Sequence, residues 1–131
     1  MTGKDEIRLT LPADREFFRV AHLVLGGLAV RLNLTFETLE DLQLALDGLL
    51  ERPAGDGELT VRVTVAGGVL ETLVGPFSEQ QSLRAELERE PDDHVTLRRV
   101  LDAVVDEVAL EPGEGGEWVR LTKRVERLAE R

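Results

Sequence analysis

The chain has 131 residues, no cysteine, and 26 acidic against 16 basic side chains. Its length fits one domain over 1–131, and the absent thiols exclude cysteine catalysis, disulfides and thiolate-held zinc. The acidic balance argues against non-specific nucleic-acid binding and anionic membranes, which draw on clustered Lys and Arg, and suits a protein partner with a basic face.

The start, "MTGKDEIRLT", lacks the apolar stretch of a signal peptide. No apolar run approaches the roughly 20 residues of a membrane span, so a soluble cytoplasmic protein is expected. "EIRLTLPA" alternates Ile7, Leu9 and Leu11 with polar residues and reads as a half-buried strand closed by Pro12. Asp14 can cap the next element. Phe17, Phe18, Ala21, Val24, Leu25, Leu28, Ala29 and Leu32 then recur at helical spacing. Gly26-Gly27 mark a point where another backbone could pack close.

A second helix starts at Thr35, with Leu39, Leu42, Ala45, Leu46, Leu49 and Leu50 as its buried stripe. Glu37, Glu40 and Asp41 suit the positive end of its dipole, and Pro53 with "AGDG" ends it. "ELTVRVTV" and "VLETLVGPF", joined by "AGG", predict a hairpin with Leu59, Val61, Val63 and Val65 inward. Ser78 to Asp93 is polar and reads as a mobile loop or short surface helix. Leu97, Val100, Leu101 and Val104 predict a third helix, whose end passes into a strand. "GEGGE" is a turn, with no basic residue or helix start after it, and "WVRLTKRV" is a final strand. The order β-α-α-β-β-loop-α-β-β predicts an α/β two-layer sandwich: a mixed, mostly antiparallel sheet covered on one face by helices.

Read together, "IRLTLPADREFFRVAHLVLGGLAVRLNLTFETLEDLQLAL" and "VLDAVVDEVALEPGEGGEWVRLTKRV" resemble the GHKL-type ATP-binding fold. The branch is that of small anti-sigma-factor serine kinases, which bind bacterial stress or sporulation sigma factors. The resemblance implies a Glu on the second helix as general base and an Asn four residues later holding magnesium. Phosphoryl transfer rests on such positioning and charge neutralisation. Here Gly48 falls at the Glu and Arg52 at the Asn. An Asp-x-Gly-x-Gly box after the second hairpin strand would read adenine, but "TLVGPF" puts Thr72, Val74 and Pro76 at its three fixed positions. A glycine-rich phosphate turn is replaced by "DDHVTLRR". Three vacant boxes imply a degenerate anti-sigma-like regulator without ATP, magnesium or kinase activity. The alternative is an active serine/threonine kinase with rearranged ligands.

The same resemblance assigns partner contact to Arg19, after Phe18 in "FFRV". The implied partners are a sigma factor, an anti-anti-sigma factor or an intact paralogue, with a homodimer plausible. Gly48 itself reads either as a glycine packed under a strand or as the remnant of an emptied site. Asp47 and Glu51 share a helix face and could be imagined as metal ligands, but solvation is the plainer reading, so neither a metal site nor a catalytic residue is expected. His22 and His94 have no nucleophile pattern beside them and read as surface residues.

Overall fold

The computed structural model describes residues 5–52, 57–78, 83–88 and 96–125. Strand β1 (Asp5–Pro12) leads through a 3-10 turn (Arg15–Phe17) into helix α1 (Phe18–Leu32) and helix α2 (Phe36–Leu50). The hairpin β2 (Glu58–Ala66) and β3 (Val69–Phe77) follows, then α3 (Leu83–Glu88), α4 (Leu97–Val104), β4 (Glu107–Gly113) and β5 (Gly116–Arg124). The sheet runs β1-β2-β3-β5-β4, and every ladder is antiparallel.

Local chemistry sets these boundaries. The Asp14 carboxylate accepts the Glu16 N–H and starts the 3-10 turn. Helix α1 stops at Asn33, which adopts a left-handed φ of 59°, a conformation Asn tolerates, while the Leu34 N–H returns to the Ala29 carbonyl at 2.9 Å. Thr35 caps α2 by accepting the Thr38 N–H at 3.2 Å. The β2–β3 turn uses Gly67 and Gly68, both at positive φ, as a two-residue turn of right-handed twist requires.

The alternation of each strand divides the sheet cleanly. Leu11, Leu59, Val61, Val63, Val65, Leu70, Val74, Val119 and Leu121 face the helices and are buried. Ala21, Leu25, Leu28, Ala29 and Leu32 of α1 and Leu42, Ala45, Leu46, Leu49 and Leu50 of α2 pack against them. Leu101 of α4 is fully buried. The Lys123 ammonium joins three elements: it donates to the Val104 carbonyl at the end of α4 (2.7 Å) and pairs with Asp41 of α2 (3.1 Å). Among the described residues the opposite sheet face carries no helix. There Arg120 bridges Glu71 and Glu111 across three strands, and its hydrogen bonds hold the Glu111 carboxyl below its ordinary range.

One expectation changes and two narrow. The sheet is wholly antiparallel: the β1–β2 excursion returns reversed, β2–β3 and β4–β5 are hairpins, and the β3–β4 excursion skips one place, which β5 fills antiparallel to both. Gly26 and Gly27 receive no close backbone, since a Cβ at either would meet nothing within 4 Å. They sit on the outer side of α1, away from its buried stripe. The polar stretch from Ser78 contains a true helix, α3, pinned by the buried Leu83 and Leu87; residues 79–82 and 89–95, which include His94, lie outside the described residues. Among the described residues no helix is long and apolar enough to cross a membrane.

Candidate functional site

Gly48, Arg52 and Thr72, singled out by the resemblance, lie on α2, just after it, and on β3. Gly48 occupies the last turn of α2 and faces α4. A Cβ built there would stand 2.9 Å from Leu97 Cδ1, so the missing side chain is replaced by a leucine reaching over from the neighbouring helix. Gly48 is thus a packing glycine, but under a helix rather than under a strand. Leu97 is nearly buried, in the first turn of a helix that Thr96 caps by accepting the Arg99 N–H at 3.2 Å.

One turn on, Arg52 reaches across to α3 and pairs with Glu86 at 2.8 Å. Its Nε is buried with no hydrogen-bond partner among the described residues. Arg84 of α3 pairs with the largely buried Glu117 of β5 at 3.2 Å. These ion pairs draw α3 down on one side to α2 and on the other to the sheet. The positions that the resemblance assigns to a base and a magnesium ligand therefore face side chains of α4 and α3.

Thr72, Val74 and Pro76 lie within β3, not after it. Thr72 is laddered to Val63 and Leu121, and Val74 to Val61 and Val119. All three are buried. No carboxylate stands between Thr72 and Ser78, so a shift of register within this stretch supplies no adenine-reading Asp. The Thr72 hydroxyl is buried and unpartnered among the described residues, a costly state for a polar group. Thr72→Val keeps the shape and removes the orphan. It is expected to raise stability by about 1 kcal/mol in urea denaturation; a loss of stability instead would mean that the hydroxyl has a partner in solution.

The other flagged residues separate. Asp47 pairs with His22 of α1 at 2.5 Å, and Glu51 with Arg15 at 2.5 Å. Each carboxylate thus already has a cationic or hydrogen-bonding partner, and among the described residues no group of three or more acidic or histidine side chains is placed to hold a metal ion. His22 is half-buried and ties the two helices together rather than standing free. Arg19 is exposed and forms no ion pair among the described residues, whereas Phe18 is half-buried against the core. Nothing local in the chain marks Leu97 as a space-filler or Glu86 as the partner of Arg52. Both are contacts between helices, and periodicity reports which side of a helix is buried, not what covers it.

No family model matches the chain. It is 32% identical over 80 residues to the serine-protein kinase RsbW of Listeria monocytogenes, covering 56% of this chain and 51% of that one. RsbW of Bacillus velezensis matches at 31% over 80 residues, covering 56% and 50%. The chain thus spans about half the length of the curated relatives it matches. A solved structure of the RsbU and RsbW domains of a Mycobacterium tuberculosis protein superposes with a TM-score of 0.70 at 20% identity, covering 96% of this chain and 33% of that one. The chain is thus similar in sequence, over part of its length, to RsbW serine-protein kinases, and similar in fold to a structure of RsbU and RsbW domains.

Proposed function

We propose that this protein is a regulatory binding domain of the anti-sigma type that has kept the fold and given up ATP and magnesium. The observation that carries this reading is the contact of Leu97 with Gly48. Where a kinase of this fold needs a base and open space for a γ-phosphate, the chain has a glycine and a leucine packed onto it. The Arg52–Glu86 pair supports the same reading, since it occupies the guanidinium that could otherwise touch a phosphate.

Its work is then recognition of a protein: a sigma factor, an anti-anti-sigma factor or an intact paralogue. The outer side of α1 supports this. Leu23 and Val30 are 76% and 82% exposed and lie two turns apart on one side of the helix, with Arg19 one turn before Leu23. Apolar side chains beside an unpaired arginine are the usual anchors of a protein interface. Without a nucleotide, partner exchange would depend on competition rather than on a nucleotide-driven shift between states.

The second reading, an active serine/threonine kinase with rearranged ligands, is favoured by the relatives' own name. Titration calorimetry with Mg-ATP separates the two. The expected result is no heat of binding at millimolar nucleotide; micromolar binding with turnover would establish the kinase instead.

A further inference from the structure

The helix-free face of the sheet carries a hollow of about 470 Å³, within the range of small-ligand pockets, roughly 300–1,000 Å³. Its floor is the indole of Trp118. The ring lies between two glycines on the flanking strands. A Cβ at Gly75 of β3 would stand 2.6 Å from a ring atom, and one at Gly113 of β4 closer still. Any other residue at either place would evict the ring, so both strands leave room for an aromatic platform. The indole N–H donates to the Glu114 carbonyl at 3.1 Å. That bond fixes the platform and satisfies its only polar atom.

Two arginines line the same hollow, Arg8 of β1 and Arg62 of β2. They are direct cross-strand partners. Like charges at that register repel and weaken a sheet. Neither forms a hydrogen bond or ion pair among the described residues. Glu111 is close enough for its carboxylate to respond to Arg62, but both of its oxygens are taken by Arg120, at 3.1 and 2.7 Å. Glu111 and Glu114 line the hollow too; yet in a chain with ten more acids than bases, two guanidinium groups stand in direct register and, among the described residues, neither is ion-paired to a carboxylate.

We propose that this hollow binds a small aromatic oxyanion: a flat ring stacked on Trp118 and Leu73, with a phosphate or carboxylate held between Arg8 and Arg62. Arginine matches such a group with paired, charge-assisted hydrogen bonds, and the bound anion relieves the repulsion between the two cations. The site lies on the face opposite the degenerate nucleotide positions and does not rest on the reading of those positions.

The probe is phenyl phosphate, with phenol and inorganic phosphate as its two halves. Trp118 is the only tryptophan in the chain, so its fluorescence and its single indole N–H resonance report on this hollow alone. Phenyl phosphate is expected to give saturable quenching and a saturable shift of the indole resonance, with each half at least about tenfold weaker, the effect of removing one charge-assisted or stacking contact. Arg8→Gln and Arg62→Gln are each expected to weaken binding about tenfold with a melting temperature no lower than the parent's, since each removes a like-charge pair, and Arg62→Lys to recover part of the loss. Heat from Mg-ATP that disappears in Arg62→Gln would also belong to this face, which keeps a failure of this site distinguishable from a failure of the lost-nucleotide reading. Unsaturable quenching, equal affinity in the Gln variants, or an indole shift that follows protein concentration, as a second copy covering the face would produce, overturns the proposal.

Discussion

Thr72→Asp, which supplies the carboxylate type that an adenine-reading site requires, is expected to lower stability by about 3–5 kcal/mol at neutral pH, the effect of an uncompensated buried charge. Thr72 is 4% exposed and stands between Val63 and Leu121 at the centre of the sheet. The described side chains offer its hydroxyl no partner now, and they would offer a carboxylate none either. Burial favours the neutral acid, so the folded-state pKa of the new group would rise above the ordinary value of about 3.9. With the folded value raised, the penalty is smallest below the unfolded pKa and grows as pH rises through the folded one. Urea denaturation at pH 5 and pH 8 should therefore show a wider gap from the parent at pH 8. A gap under about 1 kcal/mol, equal at both pH values, would mean that the position opens to water as a nucleotide site does.

Gly48→Glu is expected to destabilise by about 1–3 kcal/mol, the range for overpacking a formed core, and to leave the chain without ATP hydrolysis. The Cβ alone already crowds Leu97 Cδ1. Gly48→Ala should stay within about 1 kcal/mol of the parent, because the gain in helix propensity offsets a small movement of a flexible leucine tip. Adding Leu97→Ala to Gly48→Glu should cost less than the sum of the two single changes, since one removes what the other strikes. Thermal melts and a phosphate-release assay read both halves of the prediction. A Gly48→Glu variant as stable as the parent, with measurable turnover, would end the filled-site reading.

The fold was legible because burial writes its period into the chain. Val61, Val63 and Val65 on β2 and Leu42, Ala45, Leu46 and Leu49 on α2 occupy the faces their spacing predicts. Turn chemistry placed the hairpin at Gly67-Gly68 and the helix start at Thr35. The contacts that decide the site were not legible. Leu97 reads only as one more apolar residue at helical spacing, and nothing local says that it ends against Gly48. Gly26-Gly27 and Gly48 are equally glycine in the sequence, yet the first pair faces open space and the last is roofed by a leucine. The Asp47–His22 and Arg52–Glu86 pairs join residues 25 and 34 positions apart, the latter from an unremarkable polar stretch. The cradle of Trp118 is a third case: its two glycines come from different strands and acquire meaning only once the register is known.

The strand order has a last consequence, for behaviour at high concentration. Only β1 and β4 border the sheet, and a bare edge is a template on which a second chain can zip. Here β1 carries Glu6 and ends on Pro12, while β4 carries Glu107 and Glu111 and runs into Pro112. Acids on both borders repel an incoming copy, and each proline withholds a hydrogen that the next strand would need. The surplus of negative charge, read at first as a preference for basic partners, also guards the sheet against growing into a fibre.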